Sequence, residues 1–290
     1  MAQKLQTISD IRRHISGMLK QSWPSEEAVA LASAIILEYT GMSSASQLAF
    51  GERVVPQETR NRILDAAARA SAGEPLQYIT GYTEFCGIRI TVEPGVLIPR
   101  PETEEMTSMI IRENPDFKGV TTDLCTGSGC IAIALSLAFP DSITVATDYY
   151  PTALEVASRN INLTGARVRL LSSDIFSKDI SSLPMSNIIV SNPPYVTESE
   201  KGEMHVNVLD HEPHQALFVP DNDPLLYYRA IADIAAVLLL PGGVLWLEVN
   251  ETFANETAAL LPAGVYRQVQ IIMDIRGKSR FIKAERDGRE

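Results

Sequence analysis

Val120-Thr121-Thr122-Asp123-Leu124-Cys125-Thr126-Gly127-Ser128-Gly129 reads as a β-strand running directly into a glycine loop. The apolar run Ile131 to Phe139 behind it reads as a helix. The alternation continues outward. Ile143 to Thr147 is predicted as a strand, Pro151 to Leu163 as a helix, and Val168 to Leu171 and Ile188 to Ser191 as strands. Leu225 to Leu239 follows as a helix and Val244 to Val249 as a strand. Strands separated by helices of roughly ten residues predict a mostly parallel, doubly wound α/β sheet. Tyr266 to Met273 and Arg280 to Ala284 flank a short turn at Arg276-Gly277 and are expected to pair antiparallel.

Upstream of this region the period changes. Ile8, Ile11, Ile15 and Leu19 form a one-face helical stripe. Ser25 is expected to cap a helix carrying Ala28 to Tyr39 and ended by Gly41. Ser43 to Phe50 makes a short helix, and Pro56 opens another that runs through Arg60 to Ala72. Acidic and basic residues cancel through Glu74, so the whole net charge of −11 lies beyond it. The shift predicts a boundary near Gly73 to Pro75. Glu84 to Cys86 and Ile88 to Val92, with Gly87 between, read as a hairpin joining the two parts. The expected organisation is a helical domain over 1–75, a linking hairpin over 76–95 and the α/β domain over 96–290.

Composition excludes several classes. With 290 residues, 45% hydrophobic and 21% charged, the chain is too apolar for disorder and large enough to bury a core. Three cysteines cannot form a secreted disulfide framework. The net charge opposes bulk binding of nucleic acid. No signal peptide is legible, and the longest apolar stretch, Ala230 to Val249, holds Asp233 and is broken by Pro241-Gly242-Gly243. That stretch reads as helix, turn and strand. A cytoplasmic protein without a membrane span is expected.

In an open parallel sheet, ligands sit at the carboxyl ends of the strands. Cys125, Thr126, Gly127, Ser128 and Gly129 lie at such an end, where glycines admit a ligand close to the backbone. The dinucleotide fingerprint wants a further Gly where Ala132 stands. Asp148 ends the next strand, and its carboxylate can accept both hydroxyls of a ribose. These features favour an adenosine-bearing cofactor over NAD. Asp174, after the third strand, can reach an adenine amino group, and Ile175 or Phe176 can pack on the ring. Then Ile188-Ile189-Val190 leads into Asn192-Pro193-Pro194-Tyr195. Two prolines stiffen the chain and leave free carbonyls beside the Asn192 amide oxygen. Fixed acceptors of this kind suit a planar NH2 group with two donors to satisfy. Tyr195 can cover its face by stacking. With a cationic methyl donor no strong base is needed, and rate comes from alignment and electrostatics.

In this order, these motifs resemble the Rossmann-like, class I methyltransferases that use S-adenosylmethionine to methylate planar amino groups. Both N6-adenine and N5-glutamine enzymes carry such a box. Gly73 to Gly81, Val96 to Glu104, Glu212-Pro213 with Ala216-Leu217-Phe218, and Asp274 to Lys278 narrow the likeness. They are similar to the PrmC/HemK family of peptide chain release factor N5-glutamine methyltransferases. The resemblance implies a five-helix N-terminal domain, class I release factors as protein substrate, and the glutamine of their GGQ loop as acceptor. It implies that Cys125 to Gly129, Asp148, Asp174, Ile175 and Asn192 contact the cofactor. Asn192, Pro193, Pro194 and Tyr195 would hold the substrate amide, with Asn192, Pro193 and Tyr195 catalytic. Cys125 stands where Gly is commoner, Ile175 where some relatives have Trp, and Asn250 where Gly is common.

An N6-adenine nucleic-acid enzyme shares the box, but the negative charge and the lack of a DNA-recognition domain weigh against it. An intact box weighs against a non-catalytic binding module. His205, His211 and His214 lack regular ligand spacing, so no metal is expected. The long segment from Thr197 to Asp223 reads as part of the substrate mouth. Arg100 suits either the cofactor carboxylate or a plain salt bridge. Cys125 and Cys130 are expected to be packing residues, Met106 and Met109 core residues, and the protein a monomer.

Overall fold

The computed structural model describes residues 6–288, which divide into two units. One runs up to Gly81 and takes in His205–His211; the other comprises Tyr82–Met204 and the chain from Glu212 onward.

The helical unit holds α1 (Ile8–Leu19), α2 (Ser25–Thr40), α3 (Ser44–Ala49), α4 (Gln57–Ser71) and α5 (Leu76–Thr80). Thr7 and Asp10 close a reciprocal capping box on α1, and the predicted stripe Ile8, Ile11, Ile15, Leu19 is buried. It packs against Ala28, Ala32, Ile35 and Ile36 of α2 and Ile63, Ala66 and Ala67 of α4. Ser25 is not the cap of α2. The cap position is Pro24, whose restrained φ of −52° starts the helix one residue earlier without a side-chain bond. The unit also extends past the boundary expected near Gly73 to Pro75. Leu76 and Ile79 of α5 belong to its core, so α5 folds with the helices before it. The His205 ring stacks on Trp23, with centroids 5.1 Å apart.

The second unit opens with β1 (Tyr82–Phe85) and β2 (Ile88–Thr91), paired antiparallel across Cys86-Gly87. Both turn residues have positive φ, 51° and 72°, as a two-residue hairpin of right-handed twist demands. There follow α6 (Pro101–Glu113), β3 (Val120–Leu124), α7 (Cys130–Ala138), β4 (Ile143–Asp148), α8 (Pro151–Thr164), β5 (Val168–Ser172), β6 (Ser186–Ser191) and β7 (Val196–Thr197). Beyond them lie α9 (Val206–His211, in the helical unit), β8 (Phe218–Val219), α10 (Leu226–Leu238), β9 (Leu239–Glu248), α11 (Ala254–Ala259), β10 (Tyr266–Met273) and β11 (Ser279–Arg286).

The main sheet has the order β10-β11-β9-β6-β3-β4-β5. The five strands from β9 to β5 are parallel, and β11 is antiparallel to both neighbours, as the short turn before it requires. Leu124, Thr147, Ser191 and Leu247 stand in one register row. Their successors Cys125, Asp148, Asn192 and Glu248 therefore meet at one carboxyl edge. Trp246, Tyr228 and Phe281 are among the largest fully buried side chains. Pro241-Gly242-Gly243, expected as a turn, lies inside β9. A register shift on the pairing with β6 and a φ of +77° at Gly242 let the strand continue through it.

Asn160 on α8 staples the hairpin to the sheet. Its Nδ2 donates to the carbonyls of Thr91 and Ser128, each at 2.9 Å, and its Oδ1 accepts from the Thr91 N–H at 2.8 Å. Asn160→Ala leaves these buried groups unpaired and is expected to lower stability by about 2 kcal/mol. Urea unfolding of the variant beside the parent measures it; an unchanged midpoint would refute the assignment.

Candidate active site

A cavity of about 320 Å³ opens at the carboxyl edge of the sheet. Cys125, Thr126, Gly127, Ser128, Asp148, Asp174, Ile175, Asn192 and Pro194 all line it. Gly129 stands outside it, capping α7 with a φ of 84°, where an added Cβ would meet the Ala157 Cβ at 3.2 Å. Pro193 and Tyr195 line a second cavity of about 140 Å³ instead. Leu97, Asn192 and Ala216 line both.

The glycine loop owes its shape to residues that tolerate positive φ. Gly127 has φ 55°, and an added Cβ would meet nothing within 4 Å, so the loop backbone is open there. Cys125 takes φ 61° although it is not glycine, an unfavourable conformation for a residue with Cβ. Burial pushes its thiol well up, as it does that of Cys130, which makes both poor nucleophiles. The Gly127 N–H donates to Asp148 Oδ2 at 2.9 Å, and the Tyr150 N–H to Oδ1 at 3.0 Å. Burial raises the Asp148 pKa, opposed by these two bonds.

Behind the loop, Asp123 Oδ2 accepts from the Thr126 hydroxyl at 2.5 Å and the Ala132 N–H at 3.2 Å. Burial pushes its carboxyl up to about 7. The folded state holds this proton more tightly than the unfolded chain does. Stability therefore falls as pH rises from the ordinary aspartate range towards 7.

The charge of the larger cavity selects its ligand. Asp148 and Asp174 line it, and among the described residues no lysine, arginine or histidine does. Such a wall repels phosphates and favours a cation with hydroxyl donors. S-adenosylmethionine, with its sulfonium, ammonium and ribose, fits these acceptors. Asp174 Oδ1 accepts the Phe176 N–H at 2.9 Å. Near it, Phe176 and Tyr227 meet edge to face at 5.1 Å, and Tyr149 and Tyr150 complete an aromatic end. Burial raises Tyr227 to about 12, so it stays neutral. Phe176 apart, these aromatics are not singled out by the sequence pattern, although Tyr149-Tyr150 directly after Asp148 was a usable signal.

On the other side, Asn192 Nδ2 donates to Thr103 Oγ1 at 2.9 Å. The Tyr195 hydroxyl donates to Glu248 Oε1 at 2.9 Å. Thr103 and Glu248 are further residues that the sequence pattern does not single out. Arg100 resolves as a salt bridge, 2.8 Å from buried Glu212, which also accepts the Ile98 N–H at 3.1 Å. Asn250 has φ −64°, so glycine is not required there, and its Nδ2 donates to the Tyr195 carbonyl at 3.2 Å. In the long segment, Met204 lines the smaller cavity and Gln215 the larger one.

Two family models match the chain: the PrmC N-terminal domain over residues 10–81 and the methyltransferase small domain over 88–218. A release factor glutamine methyltransferase of Bacteroides thetaiotaomicron is 43% identical over 277 residues, spanning 95% of this chain and 99% of that one. The enzyme of the same name from Streptococcus pneumoniae is 35% identical, over 83% of this chain and 85% of its own. Among solved structures, a methyltransferase from Pyrococcus furiosus covers 81% of this chain and 100% of its own, with a TM-score of 0.52. At 20% identity that likeness speaks for the fold alone. Identity on this scale, carried through both the helical and the α/β parts, leaves one conclusion: the chain belongs to the release factor glutamine methyltransferase family.

Proposed function

We propose that this enzyme methylates the side-chain amide nitrogen, N5, of the glutamine in the GGQ motif of class I peptide chain release factors. S-adenosylmethionine is the methyl donor and S-adenosylhomocysteine the product. The observation that carries the reading is the wall shared by the two cavities. Asn192 borders both, so its amide stands where a donor in the larger cavity and a side chain entering the smaller one would meet.

Bound S-adenosylmethionine supplies an electrophilic sulfonium methyl. Asp148 would accept the ribose hydroxyls, and the backbone of Cys125 to Ser128, which lines the larger cavity, would face the cofactor. Asp174 would accept the adenine amino group, and Ile175 would pack on the ring. Asn192 Oδ1 and the Pro193 carbonyl accept the two N–H bonds of the glutamine amide. Pro194 stiffens that carbonyl, and Tyr195 closes the face of the planar group. Holding both N–H bonds would aim the nitrogen lone pair at the methyl. As the N–C bond forms, the S–C pair would return to sulfur, and the N-protonated amide, a strong acid, would give one proton to water, so alignment replaces a strong base.

The helical domain receives the body of the release factor while the smaller cavity takes its loop. The acidic larger cavity and the overall negative charge support a protein rather than a nucleic acid as substrate. No helix among the described residues is long and apolar enough to cross a membrane. A cytoplasmic monomer is the form this reading expects. Incubation of the enzyme and S-adenosylmethionine with unmodified release factor, followed by peptide mass analysis, is expected to show one added methyl on the GGQ glutamine. An unchanged peptide mass beside methylated adenine in a nucleic-acid control would overturn the reading.

A further inference from the structure

Asn192 can recognise an amide NH2 only if its carbonyl oxygen, and not its own NH2, faces the acceptor. Nothing in asparagine itself dictates that choice, because the two ends are the same size. The choice is made in a chain of hydrogen bonds behind it. Asn192 Nδ2 donates to Thr103 Oγ1 at 2.9 Å, and Thr103 Oγ1 donates to Glu248 Oε2 at 2.6 Å. Thr103 has one hydroxyl proton, and Glu248 takes it. The Thr103 oxygen is then left only as an acceptor, and only the NH2 end of Asn192 satisfies it.

Thr103 is 2% exposed, at the wall of the larger cavity, and Glu248 is fully buried, so Glu248 is reached by protein groups and not by solvent. The second carboxylate oxygen of Glu248 accepts the Tyr195 hydroxyl at 2.9 Å. One carboxylate thus anchors both ends of the Asn192 to Tyr195 box from the neighbouring strand end. The Thr103 backbone is held in turn, its carbonyl accepting the Thr107 hydroxyl at 2.8 Å. Donation from Asn192 towards a carboxylate also polarises its amide, which strengthens the outward Oδ1 as an acceptor.

We propose that Glu248 and Thr103 are positioning residues that set the polarity of Asn192. They make the site select an acceptor bearing N–H donors, an amide, over a carboxylate of the same shape. This rests on the reading that Asn192 holds the acceptor amide. Without the carboxylate, the Thr103 hydroxyl is free to turn its proton to Asn192. The asparagine then flips and presents donors where the glutamine amide also presents donors.

The test uses the full-length enzyme with unmodified release factor, reading kcat and KM for the factor and Kd for S-adenosylmethionine. Thr103→Val keeps the shape and removes the hydroxyl; kcat/KM for the factor is expected to fall about tenfold or more. The cofactor Kd should stay within about twofold, and Thr103→Ser should recover most of the loss, because it restores only the hydroxyl. Glu248→Met, which removes both acceptor oxygens at similar volume, is expected to lower kcat/KM in the same sense. The double variant T103V/E248M should fall no further than E248M alone, as expected of groups acting in series. Wild-type turnover in T103V, failure of Thr103→Ser to recover activity, or losses that multiply in the double variant would each overturn the inference. A parent enzyme that transfers no methyl to the factor fails the functional reading itself, and the inference falls with it.

Discussion

Asn192→Ala will lower methyl transfer to the release-factor glutamine by about 10²–10³-fold, with S-adenosylmethionine affinity kept within about threefold. The side chain borders the larger cavity but does not build its glycine loop, which is held by Asp148, Asp123 and Asn160. Truncation removes a preorganised acceptor at the reacting nitrogen and leaves the cofactor's own partners in place. The amide then loses its aim, and alignment is the main source of rate in a transfer that uses no strong base. Single-turnover rates with saturating donor, beside calorimetric titration of the cofactor, separate the two effects. Comparable losses in both would mean that Asn192 chiefly holds the cofactor.

Asp148→Ala should behave in the opposite way. S-adenosylmethionine affinity is expected to fall on the order of 100-fold, the scale of two hydrogen bonds to a buried carboxylate. The damage has two routes. The ribose loses its acceptors, and the Gly127 and Tyr150 N–H groups lose theirs, so the loop slackens as well. Turnover should recover substantially at saturating donor, because the Asn192 side of the site is untouched. The donor KM and the limiting rate, measured over a wide donor range, check both parts. A donor KM equal to that of the parent would remove Asp148 from the ribose site.

Much of this site was legible because it follows a period. The strand Val120 to Leu124, its glycine loop and the next strand end at Asp148 repeat the grammar of a parallel sheet, and register then brings Asn192 to the same edge. Two prolines after an apolar strand are a strong local signal. Thr103 and Glu248 had none. They are far apart in the chain, one in the first turn of a helix and one at a strand end, and only the fold puts them 2.6 Å apart. The start of α6 did carry a signal, with Pro101 at its first position and Glu102 and Glu104 in its first turn. The short helices α5 and α9 are each too brief to show a period. Ser25 has the side chain of a good cap, but the neighbouring proline already fixes the chain direction and takes the cap position.

The residues His205–His211 fold with the helical unit although they lie between Met204 and Glu212 of the other. The chain therefore crosses between the units three times, and the helical part is not a detachable cassette. A catalytic half obtained by cutting after Gly81 alone would keep a seven-residue orphan, with His205 deprived of the Trp23 ring that it stacks on. That orphan would sit in the segment whose flanks, Met204 and Gln215, form the walls of the two cavities. Swapping helical domains between relatives calls for exchanging two separate pieces of sequence together, and a chimaera built at one junction inherits a mismatched insert within that segment.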